Sequence, residues 1–365
     1  MHAGTACAYR GCVPRYPRYS RCRAAAWWPQ LRAKDMRAVV VEEFAPFDEV
    51  SVGDLPDPVP GKGEVVIDVK AAELNYPDIL VIAGQYQIKP QRPFSPGKAA
   101  AGVISALGEG VTGFSIGDRV SVQVEYGAYA QKLRAPATSV FRMPSEVGFI
   151  KGAALGLVYQ TAHFALVERA RMQTGDAVLV LGASGGIGVA SVQLAKAFGA
   201  STIIAGVLGE ENAAVARKCG ADVVVDLSIA DLRDGLRDAV RAATGGRGAD
   251  VVIDPVGGAA NGAALRAMAW RGRMVIIGFA AGEIPIIKAN YLLVKNIEVS
   301  GLQWSDYRDR DPEWVRRVQD EIFALHVAGK VDPFVSRTFP LADFREPLAL
   351  LRDGRAQGKL ILEVA

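Results

Sequence analysis

The chain has 365 residues, of which 50% are apolar and 22% are charged. This length and composition favour a soluble globular protein with room for two domains. The absence of any run of about 18 apolar residues excludes a membrane-spanning helix. The formal net charge is +3, but residues 36–365 carry 35 basic and 38 acidic side chains, a net charge of −3. An acidic body argues against nucleic acid as a partner, because nucleic acid binds to a basic face.

The first 35 residues differ in composition from the rest. They are rich in arginine and contain three of the four cysteines, whereas the body holds only Cys219. We expect residues 1–35 to be a disordered or non-native extension, with Met36 as the start of the protein. A single serine and no apolar helical stripe argue against a transit peptide. The lone thiol of Cys219 favours a reducing compartment, the cytoplasm.

From Met36 to about residue 148 the sequence predicts short strands separated by turns rich in glycine and proline. MRAVVVEEF and EVVIDVKAAEL are the clearest strands of this part. The pattern predicts a partly open β-barrel. Near Phe149 the apolar spacing becomes helical, in the segment GAALGLVYQTAHFALVERA.

The middle of the chain then alternates between strands and helices. We predict strands at 177–182, 201–207, 222–226, 250–254 and 273–278, with helices at 186–198, 210–219, 231–243 and 260–270. This alternation predicts an α/β fold, a parallel sheet covered by helices on both faces. After Trp304 we predict a helix, a strand, a helix and a closing strand, at 313–329, 334–339, 342–353 and 359–364. The predicted domains are therefore 36–158, 159–302 and a return segment 303–365.

A glycine-rich turn joins the first predicted strand of this part to the first helix. Glycines allow a tight turn and a close approach to a diphosphate, which the free N–H groups of the helix start then bind. The alternative is a structural turn that binds nothing, but the order strand, turn and helix favours a dinucleotide site. The residues assigned to this site are Gly182, Ser184, Gly185, Gly186, Ile187 and Gly188.

Several strings along the chain resemble one family. They are ELNYPDIL, GQY, PGKAAAGVI, GFSIGDRV, GAYA, DPVGG and GKLILEV, in addition to the glycine-rich turn. Together they resemble the zinc-independent quinone oxidoreductase branch of the medium-chain dehydrogenase/reductase superfamily. The resemblance implies a GroES-like catalytic domain with a Rossmann domain inserted in it, and a homodimer joined through the Rossmann sheet edge.

A zinc site is not expected. A catalytic zinc needs three His, Cys or carboxylate ligands, and the body offers only Cys219, His163 and His326 among the first two types. Where zinc-dependent relatives have a cysteine, this chain has Asn75 and Asp78 in NYPD. We therefore predict no metal.

Without a metal to polarise an alcohol, the resemblance implies hydride transfer from a reduced nicotinamide to a quinone. An enoyl reductase acting on an α,β-unsaturated ketone, acid or thioester is the alternative. A CoA ester would need cations at the cleft mouth, such as Lys89, Arg92 or Lys98. A nucleotide-binding protein without catalysis is the third interpretation. Asn75, Tyr86 and Thr161 match family positions that line the nicotinamide and substrate pocket, although each also suits a structural role in a turn or helix.

The coenzyme is left open between NADPH, which the family favours, and NADH. Relatives that use NADPH hold its 2′-phosphate with a serine, a lysine and a tyrosine, where this chain has Gly209, Asn212 and Leu227. Glu210 and Glu211 would repel a phosphate.

Asp254, Gly278 and Phe279 follow the ends of predicted strands, where ligands of α/β sheets bind. Lys359 resembles a family lysine that reaches the cofactor; a solvated lysine at a strand start is the other interpretation. Lys98 and Ala99 replace the end of a family PGxE string, so we expect a carboxylate to be missing beside the cleft.

Overall fold

The structure is a computed structural model that describes residues 35–364, and the predicted extension lies outside the described residues except for Asp35. The first part of the described chain consists mainly of short strands. Its elements are β1 Asp35–Val40, β2 Ser51–Pro56, β3 Glu64–Glu73, α1 Tyr76–Ile82, β4 Ala99–Leu107, β5 Arg119–Gln123, β6 Lys132–Pro136 and β7 Val140–Arg142. Helix α1 was not expected from the sequence; Pro77 stands in its first turn, where a missing N–H costs nothing.

The middle part alternates strands with helices, as the sequence predicts. Its elements are α2 Phe149–Ala154, α3 Leu157–His163, β8 Ala177–Leu181, α4 Gly186–Ala197, β9 Thr202–Val207, α5 Gly209–Cys219, β10 Val223–Asp226, α6 Leu232–Ala243, β11 Ala249–Asp254, α7 Gly258–Ala267, β12 Met268–Ile276, α8 Ala289–Lys295 and β13 Glu298–Gly301. A π-helical turn, Phe164–Arg169, continues α3.

The last part returns to the first sheet. Its elements are α9 Trp304–Arg310, α10 Pro312–Val327, β14 Val335–Pro340, α11 Arg345–Arg352 and β15 Lys359–Glu363. Strand β15 pairs antiparallel with β3, with Leu362 opposite Ala72. This sheet has the strand order β14-β15-β3-β4-β5-β7, and β6 pairs with the other end of β3. The last part of the chain therefore completes the sheet that contains β3, β4 and β5.

The second large sheet has six parallel strands in the order β10-β9-β8-β11-β12-β13. Numbered from its own first strand, this is the order 3-2-1-4-5-6 of a dinucleotide-binding Rossmann fold. All five residues of the central strand β8 are buried, as a strand covered by helices on both faces requires. The predicted fold class, α/β with a GroES-like barrel and a Rossmann sheet, is confirmed.

Several predicted elements differ in their bounds, among them the strand predicted at 273–278, which is Met268–Ile276 in the structure. The helical segment near Phe149 is broken between α2 and α3 at Gly156, which lies against the Gln123 side chain. The helix predicted at 260–270 ends at Ala267, because Met268 already pairs with Ala249 in the sheet. The domain boundaries at 158 and 302 stay predictions.

Candidate active site

The nucleotide loop, residues 182–188, joins strand β8 to helix α4. Gly182 has φ +61°, in the left-handed region that favours glycine, and turns the chain at the end of the strand. A Cβ on Gly188 would collide with the carbonyl oxygen of Gly182 and with the backbone of Ala183. Helix α4 therefore packs against the strand end at a distance that only glycine permits.

The start of helix α4 presents free N–H groups. The amide of Val189 is the first to bond back into the helix, to the carbonyl of Gly185 at 2.8 Å. The amides of residues 186–188 therefore have no helical acceptor, and no side chain caps them. Buried Ser184 precedes this turn. These donors and the helix dipole fit the diphosphate of a dinucleotide, which would approach where the loop has no side chains.

Strand β15 begins against the nucleotide loop. The amide of Gly358 donates to the carbonyl of Ser184 at 2.6 Å, and the two chains form a short bridge between Gly358 and Gly185. The alkyl chain of Lys359, the next residue, lies against Gly186. A Cβ on Gly186 would be only 2.8 Å from the Cδ of Lys359. Lys359 is only 5% exposed, so the interpretation as a solvated lysine is wrong.

The ammonium of Lys359 is surrounded by three oxygens. It lies 2.9 Å from the carbonyl of Leu74, 2.8 Å from Oδ1 of Asn75 and 2.8 Å from Oε1 of Glu73. The first two contacts are hydrogen bonds and the third is an ion pair, so two of the three N–H groups of the ammonium are used. Lys359 meets the nucleotide loop through its alkyl chain.

Asn75 begins helix α1 and is held on several sides. Its Nδ2 donates to Oε2 of Glu73 at 3.3 Å, and its backbone N–H donates to Asp78 at 2.8 Å. The hydroxyl of Tyr129 donates to the same carboxylate oxygen at 2.6 Å. Asn75 itself is 5% exposed. Asn75 therefore contacts Lys359, and Lys359 in turn contacts the nucleotide loop.

Two buried carboxylates lie at this point. Burial raises the pKa of Asp78 to about 6, against the opposite effect of the hydrogen bonds from Tyr129 and Asn75. Burial also raises the pKa of Glu73, and Lys359 and Asn75 oppose that rise. Glu73, which was not expected as a site residue, supplies a carboxylate beside Asn75, whereas the position of the family PGxE carboxylate is Ala99.

Lys98 lies inside the protein and not at the mouth of the cleft. Its Nζ stands 4.4 Å from the centre of the Tyr86 ring and is paired with Glu125. Glu125 is also bound by Arg308 of helix α9, at 2.8 Å. Lys98 is therefore engaged already, which corrects the expectation of a free cation for a CoA ester.

Tyr86 and Thr161 differ in how their hydroxyls are used. The hydroxyl of Tyr86 has no hydrogen-bond partner among residues 35–364, and the ring is partly buried. Thr161 donates to the carbonyl of Leu157 at 2.7 Å, one turn back in helix α3. Helix α3 packs against helix α4, and Val158 lies beside the position of Gly186. The oxygen of Thr161 thus remains an acceptor near the nucleotide loop.

The predicted coenzyme residues Gly209 and Asn212 lie at the start of helix α5, where strand β9 ends. The amide of Gly209 donates to Oδ1 of Asp226 at 3.3 Å. Asn212 donates to the carbonyl of Leu208 at 2.8 Å and accepts from Gln357 at 3.4 Å. Asp226, the last residue of β10, was not predicted from the sequence as a residue of this site.

The charge at this end of the sheet is negative. Asp226 and Glu211 are exposed, and the nearby cation Arg217 is paired with Glu210 at 2.5 Å. Hydrogen bonds from Ser228 and Gly209 lower the pKa of Asp226. A 2′-phosphate bound beside Gly209 would be repelled by these carboxylates.

Asp254 shapes a second loop, which follows strand β11 and begins at Pro255. Its Oδ1 accepts from the amides of Val256 and Gly257, each at 2.8 Å, and its Oδ2 accepts from Asn261 at 2.7 Å. Asp254 is fully buried and so acts on this loop's shape. Gly278 and Phe279 follow strand β12, and Phe279 packs close to Gly257 and is 40% exposed.

The zinc candidates of the sequence do not meet. His163 lies 3.1 Å from Glu321, and burial lowers the pKa of this histidine although Glu321 opposes it. Cys219 is buried at the end of helix α5. Within residues 35–364, no three His, Cys, Asp or Glu side chains are grouped to hold a metal ion. Zinc independence stays a prediction.

Comparisons with known proteins agree with this architecture. Residues 61–145 match the family model of the alcohol dehydrogenase GroES-like domain, and residues 186–320 match that of the zinc-binding dehydrogenases. A quinone oxidoreductase-like protein 2 homolog of Nematostella vectensis is 35% identical over 92% of this chain and 90% of its own length. The chain belongs to the quinone oxidoreductase branch of the medium-chain dehydrogenase/reductase superfamily.

Two solved structures of this superfamily resemble the chain over 90% of its length. A mycobacterial protein in complex with NADPH has a TM-score of 0.83 at 30% identity, and all of that chain is covered. Escherichia coli quinone oxidoreductase in complex with NADPH has a TM-score of 0.82 at 26% identity, with 99% of that chain covered. As a member of the superfamily, the chain is an oxidoreductase. None of the helices between residues 35 and 364 has the length and apolar character needed to cross a membrane.

Proposed function

We propose that this oxidoreductase transfers a hydride from a reduced nicotinamide coenzyme to a quinone that binds beside Asn75. The observation that carries the proposal is the position of Lys359. Its alkyl chain lies against Gly186 of the nucleotide loop, while its ammonium bonds to Asn75 at 2.8 Å. A coenzyme on the loop and an acceptor at Asn75 would therefore lie side by side, as hydride transfer requires.

The coenzyme supplies the hydride when bound, and the chain supplies binding and orientation. The free amides of residues 186–188 would hold the diphosphate. The oxygen of Thr161, which still accepts, would bind the carboxamide of the nicotinamide. Asn75 would donate its remaining N–H to the acceptor oxygen, where negative charge develops during the reaction. Tyr86, whose hydroxyl is free, would donate to the same acceptor or stack on it.

NADPH is the proposed coenzyme because two solved relatives bind it. The carboxylates of Asp226 and Glu211 at the adenosine end oppose a 2′-phosphate, so we expect NADH to be used as well. Zinc takes no part in this proposal, since Asn75 and Asp78 stand where zinc-dependent relatives have a cysteine.

An α,β-unsaturated ketone or acid is the second candidate substrate. Asn75 has one N–H free of protein partners among the described residues, which suits the single carbonyl oxygen of an enone as well as that of a quinone. For a CoA thioester, Lys98 is already paired with Glu125, and exposed Lys89 is the cation that could bind the CoA phosphates.

The proposed assembly is a cytoplasmic homodimer joined at strand β13. This strand is the edge of the six-stranded sheet and has β12 as its one neighbour. Exposed apolar side chains lie on the segment before it, namely Ile284, Ile286, Leu293 and Val294. Open strand edges and apolar patches of this kind are usually covered by another chain. Sedimentation of the full chain would show about twice the monomer mass, and a monomer mass would exclude the dimer.

A panel of benzoquinones, naphthoquinones and simple enones, with NADPH and NADH in parallel, tests the proposed function. We expect the full chain to oxidise at least one coenzyme with a quinone. Coenzyme binding without turnover of any acceptor would instead favour a non-catalytic nucleotide-binding protein. Turnover with enones alone would favour the second candidate.

A further inference from the structure

Glu73 is a charged residue at a fully buried position next to Asn75. Strand β3 is irregular between Val69 and Ala71, and beyond this point Ala71 and Glu73 lie opposite Ala101 and Ala99 of β4. These three alanines are buried, and Glu73 is 0% exposed among them. A buried carboxylate is costly unless it is paired, so its place among these alanines calls for a role.

Glu73 and Lys359 bind opposite ends of the Asn75 side-chain amide, and their hydrogen-bonding properties are complementary. The ammonium of Lys359 can only donate, and an ionised carboxylate can only accept. Oδ1 of Asn75 faces Lys359 at 2.8 Å, and Nδ2 of Asn75 faces Glu73 at 3.3 Å. The flipped amide would set its N–H groups against the ammonium and its oxygen against the carboxylate. The two charges therefore allow one orientation of the amide.

This orientation leaves one donor of the amide unused. The NH₂ group of Asn75 has two N–H bonds, and Glu73 takes one of them. The oxygen is occupied by Lys359. The amide of Asn75 can therefore offer a further partner an N–H group and not a carbonyl oxygen, which suits an acceptor that gains negative charge.

We propose that Glu73 is a positioning residue, which together with Lys359 fixes the Asn75 amide so that its free N–H serves the electron-accepting substrate. The inference rests on the proposed function, because it assigns Asn75 to the acceptor oxygen. It adds that the orientation is set by a buried ion pair whose cation lies against the nucleotide loop. A purely structural ion pair is the competing explanation.

Glu73→Gln tests the role without changing the size of the side chain. Glutamine presents either an oxygen or an NH₂ group, so it no longer dictates the orientation of the amide. We expect kcat with naphthoquinone and NADPH to fall about tenfold or more, with the coenzyme Kd within about twofold. In an Asn75→Ala background the same substitution should change kcat less than about twofold, because residues that act through one another are not additive.

A matched control comes from a second partly buried ion pair outside the site, Asp176 with Arg273 at 2.8 Å. Asp176→Asn removes a charge in the same way and should lower stability without lowering kcat. If Glu73→Gln does not fold, the double variant Glu73→Gln/Lys359→Met removes both charges and leaves no lone buried ion. That variant should show the same kcat loss when Asn75 is present and no such loss in the Asn75→Ala background.

The outcomes separate the two proposals. An active wild-type protein in which Glu73→Gln lowers kcat by the same factor with Asn75 present and in the Asn75→Ala background would overturn the positioning role alone. An active Glu73→Gln variant with unchanged kcat would do the same. A wild-type protein that binds NADPH but reduces no acceptor would overturn the proposed function, and the positioning role with it.

Discussion

The side-chain nitrogen of Lys359 lies 2.8 Å from the side-chain oxygen of Asn75, although the two residues are 284 positions apart in the chain. This contact ties the last strand, β15, to the start of helix α1. Because Gly358 also bonds to Ser184 of the nucleotide loop, the two halves of the site meet at one point. The relative position of coenzyme and acceptor should therefore depend on this contact.

Lys359→Met should destabilise the protein strongly. The substitution leaves the carboxylate of Glu73 buried without its cation, which costs about 3–5 kcal/mol in the free energy of unfolding. Urea unfolding at pH 8 measures the loss, and the same change at exposed Lys62 should lie within about 0.5 kcal/mol of the wild type. A loss below about 1 kcal/mol for Lys359→Met would show that the pair is not formed.

Gly188→Ala should remove coenzyme binding. A methyl group there meets the backbone of Gly182 and Ala183, neither of which can move aside without shifting helix α4 from strand β8. We expect the NADPH Kd, measured by nicotinamide fluorescence, to rise about a hundredfold or more, a loss of about 3 kcal/mol. Gly262→Ala is the matched control: it lies in helix α7 with open space around it, and should stabilise the protein by about 0.5–1 kcal/mol. Unchanged binding by the Gly188 variant would remove the loop from the site.

Much of this arrangement follows from local sequence patterns. The run of apolar residues in β8, the glycines after it and the helical spacing of α4 predict the nucleotide loop, since each is set by neighbours in the chain. The alternation of strands and helices predicts the parallel sheet for the same reason, but it does not predict the order of the strands in that sheet. Asn75 is predicted as a pocket residue through the family resemblance.

The contacts of Asn75 could not be predicted in this way. Lys359 is 284 positions away from Asn75 in the chain. Glu73 is only two residues before Asn75, but in the sequence it looks like an ordinary charged residue at a strand end. The pairing of Glu125 with both Lys98 and Arg308 depends on the position of helix α9 against the first part of the chain, which no local pattern contains.

Asp226→Asn should shift the coenzyme preference towards NADPH. The carboxylate stands at the end of β10 beside Gly209, and its charge opposes the 2′-phosphate, whereas asparagine keeps an acceptor for the same amide. We expect the ratio of kcat/KM for NADPH over NADH to rise about fivefold, equivalent to about 1 kcal/mol. Asp222→Asn, just before the other end of β10, should leave the ratio unchanged. An unchanged ratio for Asp226→Asn would place the 2′-phosphate elsewhere.

Asp78 should make the stability depend on pH. Its pKa is raised from 3.8 to about 6 in the folded protein, so its contribution is fully present below pH 4 and is lost as the pH rises through 6. The loss amounts to about 3 kcal/mol. Asp78→Asn keeps an oxygen for Asn75 and Tyr129, and should therefore unfold with a free energy higher than the wild type at pH 8 and similar to it at pH 4.

Urea unfolding of both proteins at these two pH values measures this difference. Asp343→Asn, at an exposed position, should show no such change between the two pH values. A wild-type protein whose stability relative to Asp78→Asn does not vary with pH would mean that Asp78 is not desolvated.

The stoichiometry of an anaerobic reaction with naphthoquinone tests the central claim most directly. The full chain is mixed with NADPH and the quinone, and the loss of nicotinamide absorbance is compared with the hydroquinone formed. We predict one hydroquinone for each NADPH consumed, and a kcat about a hundredfold lower in Asn75→Ala with little change in NADPH affinity. Tight binding of NADPH with no consumption, or full activity in Asn75→Ala, would contradict the account of hydride transfer to an acceptor held at Asn75.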